Sequence, residues 1–174
     1  MRYAQVIPFD VCNGKECGTS LFVQGCSLHC VGCFNQESWD FNGGKEWNEE
    51  YKAKFLDIVS RHYIKRVSIL GGEPLESESV EDIYILITEI KEKFPDKKIW
   101  LYTGYRFDRI LNSPLRDMYT TFRKRIVEMC DVVVDGAYVE ALKDITLPFR
   151  GSSNQRLIDV QRTLEQNEIV LYNK

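Results

Sequence analysis

Leu21-Phe22-Val23-Gln24-Gly25-Cys26-Ser27-Leu28-His29-Cys30-Val31-Gly32-Cys33 runs from an apolar triplet through a glycine into three closely spaced cysteines. Leu21 to Val23 reads as a buried strand, and Gly25 breaks it into a loop that lasts until about Trp47. A loop of that length in a compact domain is usually functional. Beyond it the apolar pattern alternates. Asn48, Glu49 and Glu50 open a helix with acids in its first turn, and Tyr51, Phe55, Ile58 and Val59 follow at helical spacing. Val67 to Leu70 is a second strand, ended by Gly71-Gly72. Ser77 or Ser79 is placed to cap the next helix, whose face carries Val80, Ile83, Tyr84, Ile87, Ile90 and Phe94, and Pro95 stops it. Ile99 to Tyr102 is a third strand, Thr103-Gly104 turns into one or two helices broken at Pro114, and Asp131 to Val134 is a fourth strand ending at Asp135-Gly136.

The order β-α-β-α-β-α-β implies right-handed crossovers and a parallel sheet, either open or curled toward a barrel. In both forms the segments just after the strands emerge at the C-terminal edge, where such folds build their sites. The cysteine loop, Gly71-Gly72-Glu73-Pro74, Thr103-Gly104 and Asp135-Gly136 are therefore expected to converge. No repeat or linker divides the 174 residues, so residues 1–174 are expected to form one domain. A chain of this length buries roughly 70% of its unfolded surface without metal or disulfide staples. Its cysteines need another reason.

The 23 basic and 26 acidic residues give a net charge of −3, which argues against a general nucleic-acid or anionic-membrane binder. Apolar stretches such as Ile83 to Ile87 fall far short of the roughly 20 residues that span a bilayer, and the N-terminus lacks a signal-peptide core. A cytoplasmic protein is expected, with thiols rather than disulfides.

Cys26, Cys30 and Cys33 form a C-x3-C-x2-C loop directly after a strand. A structural zinc site would be closed by four ligands, commonly from two separate knuckles, and the second pair is missing here. His29 would have to bend back sharply to complete such a site and reads as a polar loop residue. Three cysteines suit an iron–sulfur cluster with one iron left open for a ligand.

This loop resembles that of the radical S-adenosylmethionine (SAM) enzymes, and Gly71-Gly72-Glu73-Pro74 is similar to their second motif. The resemblance implies a single-domain partial (βα) barrel, a mainly parallel sheet with helices outside. It implies a [4Fe–4S] cluster held by Cys26, Cys30 and Cys33, and SAM against Gly32, Cys33, Phe34, Gly72 and Glu73. Thr103 and Asp135 end strands on the same edge, where they either touch SAM or cap the following turns. Cys30 to Asn35, Trp100 to Tyr105, Val134-Asp135-Gly136 and Phe149 to Arg156 further resemble the family of activating proteins for anaerobic ribonucleoside-triphosphate reductase. In that family a glycine is usual where most radical SAM enzymes have an aromatic residue before the third cysteine, and here it is Gly32. The implied activity is one-electron cleavage of SAM to generate a glycyl radical on the large anaerobic reductase subunit. A reduced flavodoxin-like donor would supply the electron, with no side-chain acid or base needed. An activator of pyruvate formate-lyase, a small-molecule radical SAM synthase and a non-catalytic metal-binding regulatory module are the alternatives. A small open fold would leave the radical exposed, so the expected substrate is a protein whose glycine loop closes the edge.

Among the remaining residues, Cys12 and Cys17 read as free thiols in a loop before the first strand, and Cys130 as a small core hydrophobe. His62 reads as a surface residue near a helix end. Glu76, Glu78, Glu81 and Asp82 are explained by helix N-terminal electrostatics, with Glu73 excepted. Arg106, Arg109, Arg116, Arg123, Lys124 and Arg125 read as a solvated face, also suited to an acidic donor protein. Phe149 to Arg156 is too polar for core and too specific for a linker; it is expected to order the site or touch the reductase.

Overall fold

A computed structural model describes residues 1–173. The chain runs through β1 (Arg2–Asp10), β2 (Gly18–Gln24), a 3₁₀ turn (Gln36–Ser38), β3 (Lys45–Glu46), α1 (Glu49–Ser60), β4 (Arg66–Gly71), α2 (Val80–Lys93) and β5 (Lys98–Thr103). It continues through α3 (Phe107–Leu111), α4 (Met118–Met129), β6 (Val132–Asp135), a second 3₁₀ turn (Glu140–Leu142), β7 (Arg156–Asp159) and α5 (Val160–Gln166). The alternation read from the sequence is β2-α1-β4-α2-β5-α3-α4-β6. Asn48 caps α1, its side-chain oxygen accepting from the Tyr51 N–H at 3.0 Å. Ser79 holds the N-cap position of α2 but makes no side-chain cap; the Ser79 and Val80 N–H groups bond to the Glu76 carbonyl instead.

All seven strands form one sheet in the order β3-β1-β2-β4-β5-β6-β7. Its centre, β2-β4-β5-β6, is parallel, and both edges are antiparallel: β1 against β2 and β3, and β7 against β6. The expectation of a strand series beginning at Leu21 and ending at Val134 is corrected by β1 and β7. The pattern of β1 is blurred by Pro8 and by a half-exposed edge, and β7 is a four-residue strand behind a polar run, so neither carries a clear period-two signal.

Each parallel crossover steps to the next strand in the same direction. Right-handed crossovers that all step one way stack their helices on one face. That face is apolar: Leu21, Ile69, Leu101 and Val133 lie in one register row and share the core with Ile83, Ile87 and Ile126. The adjacent rows point to the other face, where Trp100, Val132, Val134 and Leu157 form a second cluster with Phe149 and Tyr172.

The rest of that face is polar and held by Arg66, which is wholly buried. Its guanidinium donates to the carbonyls of Asn13 at 2.7 Å, Asp10 at 2.8 Å and Lys15 at 3.2 Å, and lies 3.7 Å from the Asp10 carboxylate. Burial pushes the Asp10 pKa up, but bonds from Ser20, the Cys12 N–H and Asn13, with the Arg66 charge, hold it below the usual carboxylate value. Arg66 thus straps residues 11–17 across the sheet. Among the described residues no helix is long and apolar enough to cross a membrane.

Candidate iron–sulfur site

The cysteine loop is anchored at both ends. Gly25, at φ +98°, donates to the Ser38 carbonyl at 2.8 Å, Cys26 donates to the Trp39 carbonyl at 3.1 Å, and the Gln24 amide donates to the Asp40 carbonyl at 2.8 Å. His29 stacks on Trp39 with ring centroids 4.7 Å apart, so it braces the loop and does not turn toward the thiols as a fourth ligand. Beside this loop lies a cavity of about 590 Å³. Its walls carry Cys26, Cys30 and Cys33, the Gly71-Gly72-Glu73 turn, Thr103-Gly104 and residues 136–138, so the four segments expected to converge do so. Phe22, Leu70 and Tyr102, from neighbouring strands, line it as well.

Three thiols lining the cavity are a donor set suited to iron–sulfur chemistry, and backbone N–H groups approach the sulfurs, an arrangement that tunes a cluster's potential. The Asn35 N–H lies 3.4 Å from the Cys33 sulfur. Burial pushes the Cys26 thiol up, and the Leu28 and His29 N–H groups oppose that shift; burial likewise raises Cys30, opposed by the Tyr138 N–H. Among the described residues no three His, Cys, Asp or Glu side chains stand together as a site for a single metal ion. Cys26, Cys30 and Cys33 offer the cavity three thiols, the donor chemistry that an iron–sulfur cluster takes.

Glu73 is buried, and that burial pushes its pKa up to about 7 against the pull of three donors. These are the Leu75 N–H at 2.9 Å, the Gly104 N–H at 2.8 Å and the Thr103 hydroxyl at 2.8 Å. The glycine turn is therefore tied to the end of β5. It is also tied to β2: Gly72 donates to the Val23 carbonyl and Glu73 to the Gly25 carbonyl, each at 2.9 Å. A Cβ at Gly72 would stand 2.4 Å from the Gly25 oxygen, so glycine is required there by the close approach of backbone.

Two expected contacts lie off the cavity. Gly32, at φ +75°, faces Glu140, whose carboxylate oxygen would be 2.0 Å from an added Cβ. Asp135 shares its register row with Thr103 at the edge and its parity with Val133, and so turns to the helix face. There it is fully buried, accepts from the Phe107 N–H at 2.8 Å and pairs with Arg156. Its carboxylate thus ties the start of α3 and Arg156 to the end of β6. Phe34 is on the wall but 59% exposed, 5.2 Å from the Tyr138 ring.

Other residues take parts that the sequence did not suggest. Glu76 does more than favour a helix start: its carboxylate accepts from the Ser27 N–H at 2.8 Å and from the Ser27 hydroxyl, fixing the residue after Cys26. Arg123 is not simply solvated, since its Nε donates to the Leu75 carbonyl at 2.7 Å and its guanidinium lies over the Tyr105 ring. Cys12 is exposed at the cavity wall, in the segment strapped by Arg66. Cys130 is buried in the core, where its thiol donates to the Ile126 carbonyl at 3.1 Å. No signal in the sequence marks Glu76 apart from its acidic neighbours; its distance from Ser27 is set only by the tertiary fold.

A family model described as a 4Fe-4S single cluster domain matches residues 12–158. Three curated relatives bear the name anaerobic ribonucleoside-triphosphate reductase-activating protein. The one from Salmonella typhi is 38% identical over 157 residues, covering 89% of this chain and 96% of the relative. That from Escherichia coli K12 is 36% identical with the same coverage, and that from Enterobacteria phage T4 is 34% identical, covering 90% of this chain and 93% of the relative. With a 4Fe-4S domain match over most of its length and relatives aligned almost end to end, the chain belongs to the family of anaerobic ribonucleoside-triphosphate reductase-activating proteins.

Proposed function

We propose that this chain is a radical SAM activase that generates a glycyl radical on the large subunit of an anaerobic ribonucleoside-triphosphate reductase, the protein named by its relatives. The single observation that carries the reading is the meeting of three thiols and the Gly72-Glu73 turn on one cavity, in a chain of this family. The proposed architecture is a partial (βα) barrel acting as one unit over residues 1–174, in the cytoplasm. The one-directional strand order, with the non-helical face as the interior, supports it.

Cys26, Cys30 and Cys33 are the proposed ligands of a [4Fe–4S] cluster with one iron left for SAM. A cluster held by these cysteines would supply one electron for cleavage of the SAM sulfonium carbon–sulfur bond, the chemistry that would remove a hydrogen atom from the partner's glycine, with methionine and 5′-deoxyadenosine as products. Gly72 offers backbone without a side chain to the methionine part, and Glu73 offers a carboxylate already oriented by Thr103 and Gly104. Phe34 and the Cys33 backbone are the proposed adenine contacts. Phe22, Leu70 and Tyr102 give the cavity a wall of strand side chains that limits water around the reacting groups. Asp135 braces the edge through Arg156, and Gly32 leaves room for the Glu140 carboxylate. A reduced flavodoxin-like protein is the proposed electron donor.

The test is SAM cleavage after anaerobic reconstitution with iron and sulfide, with dithionite as reductant and 5′-deoxyadenosine as readout. Alanine at Cys26, Cys30 or Cys33 should each abolish the cluster absorbance and the product, whereas alanine at Cys17 or Cys130 should retain both. Full product from any of the first three variants would remove that cysteine from the site.

A further inference from the structure

Of the three loop cysteines Cys26 is the buried one; Cys30 and Cys33 are half-buried. The peptides flanking Cys26 are both bonded to the segment that follows β4. On one side the Gly25 carbonyl accepts from the Glu73 N–H at 2.9 Å, and on the other the Ser27 N–H, at 2.8 Å, and the Ser27 hydroxyl donate to the Glu76 carboxylate. The first bond is backbone to backbone. The second depends on one side chain.

Glu76 is itself held still. Its N–H donates to the Glu73 carbonyl at 3.2 Å, and its carbonyl accepts from the Ser79 and Val80 N–H groups at 3.0 and 2.9 Å, where α2 begins. The residue is buried. Arg123, which reaches the same segment, donates to the Leu75 carbonyl and lies over the Tyr105 ring, and among the described residues no Lys or Arg forms an ion pair with Glu76.

Burying a carboxylate without a cation costs free energy that a neutral acceptor avoids. The oxygen of a glutamine amide would take the same two Ser27 donors. What glutamate adds is negative charge, placed beside a Cys26 thiol that burial, then the Glu73 carboxylate and then that of Glu76 push up. Net charge near an iron–sulfur cluster is one of the quantities that set its potential, and added negative charge lowers it. A lower potential makes the reduced cluster the stronger reductant, which is what one-electron cleavage of a sulfonium demands.

We propose that Glu76 is a positioning residue of the cluster site: through Ser27 it presets the Cys26 thiol, and its charge, buried beside that ligand, lowers the potential at which a cluster there accepts its electron. This rests on the activase reading and adds to it a residue outside the cysteine and glycine motifs.

The test uses the full chain reconstituted with iron and sulfide, its midpoint potential read from a reductive titration followed by electron paramagnetic resonance. In Glu76→Gln both Ser27 donors keep an acceptor, so bound iron and SAM affinity should stay close to those of the wild-type chain. The reduced-to-oxidised ratio at a fixed potential should rise by about tenfold, roughly 59 mV for one electron. Glu76→Ala removes acceptor and charge together and should raise the potential and also lower bound iron. Amide hydrogen exchange over residues 26–28 of the cluster-free chain should quicken in Glu76→Ala and not in Glu76→Gln. Ser27→Ala keeps the charge and the N–H bond and should hold the wild-type potential; with Glu76→Gln it decides the proposal if Glu76→Ala does not fold. An unchanged potential in Glu76→Gln overturns the proposal, as does an equal rise in Ser27→Ala, which would assign the effect to the hydroxyl bond. A wild-type chain that takes up the cluster but cleaves no SAM would overturn the activase reading, and the potential series would still decide the part of Glu76.

Discussion

Glu73 is the residue on which the most of the site turns, because one buried carboxylate ties the glycine turn to β5. Its pKa of about 7 stands above its ordinary value of 4.5, so the folded chain holds that proton more tightly than the unfolded one. The associated stability is fully present below about pH 4.5 and is lost as pH rises through about 7. Glu73→Gln carries no titrating group and should flatten that part of the slope; melting temperatures of both proteins between pH 4.5 and 8 check it, and parallel curves would refute it. The carboxylate's place in the motif was legible in the sequence, but its bond network was not, since Thr103 and Gly104 come from a different strand end. Gly32 was legible as special, but a sequence displays a missing side chain without displaying the Glu140 carboxylate that lies beside it.

The elements follow the same division. The apolar runs of β2, β4, β5 and β6 are buried on both faces and announce themselves, as do α1 and α2 with their one-sided patterns. β7 is a four-residue edge strand, and β1 is flanked on its outer side only by the two-residue β3. Arg66 opens β4 and looks like a surface cation flanking a strand, yet it is the strap that holds residues 11–17 over the sheet. Arg66→Met should therefore cost about 3–5 kcal/mol, because it strands the buried Asp10 carboxylate and several carbonyls. Denaturant unfolding measures the loss, and Arg66→Met with Asp10→Asn should recover part of it. Faster proteolytic cleavage within residues 11–17 is the accompanying local sign. A cost near zero would mean that the loop is held by other contacts.

At the scale of the whole molecule, four parallel strands stepping one way bring their trailing loops to one edge, and two antiparallel additions close the flanks. The added segments are not ornaments to the parallel centre: residues 11–14 precede β2 and residues 145–155 precede β7, and both contribute walls to the cavity. That is why the cysteine and glycine motifs could be read from the sequence, while the walls supplied by residues 11–14 and 145–155 depend on how β1 and β7 are placed. In the proposed function an open cluster on these cysteines, with SAM, would place a radical on a partner's glycine. The most direct measurement is the electron paramagnetic resonance spectrum of the reduced, reconstituted chain mixed with SAM and a full-length anaerobic reductase. The reductase with its radical-site glycine replaced serves as the control. A glycyl-radical doublet is expected with the unmodified reductase and none with the control; an intact cluster and SAM cleavage without any doublet would overturn the activase reading.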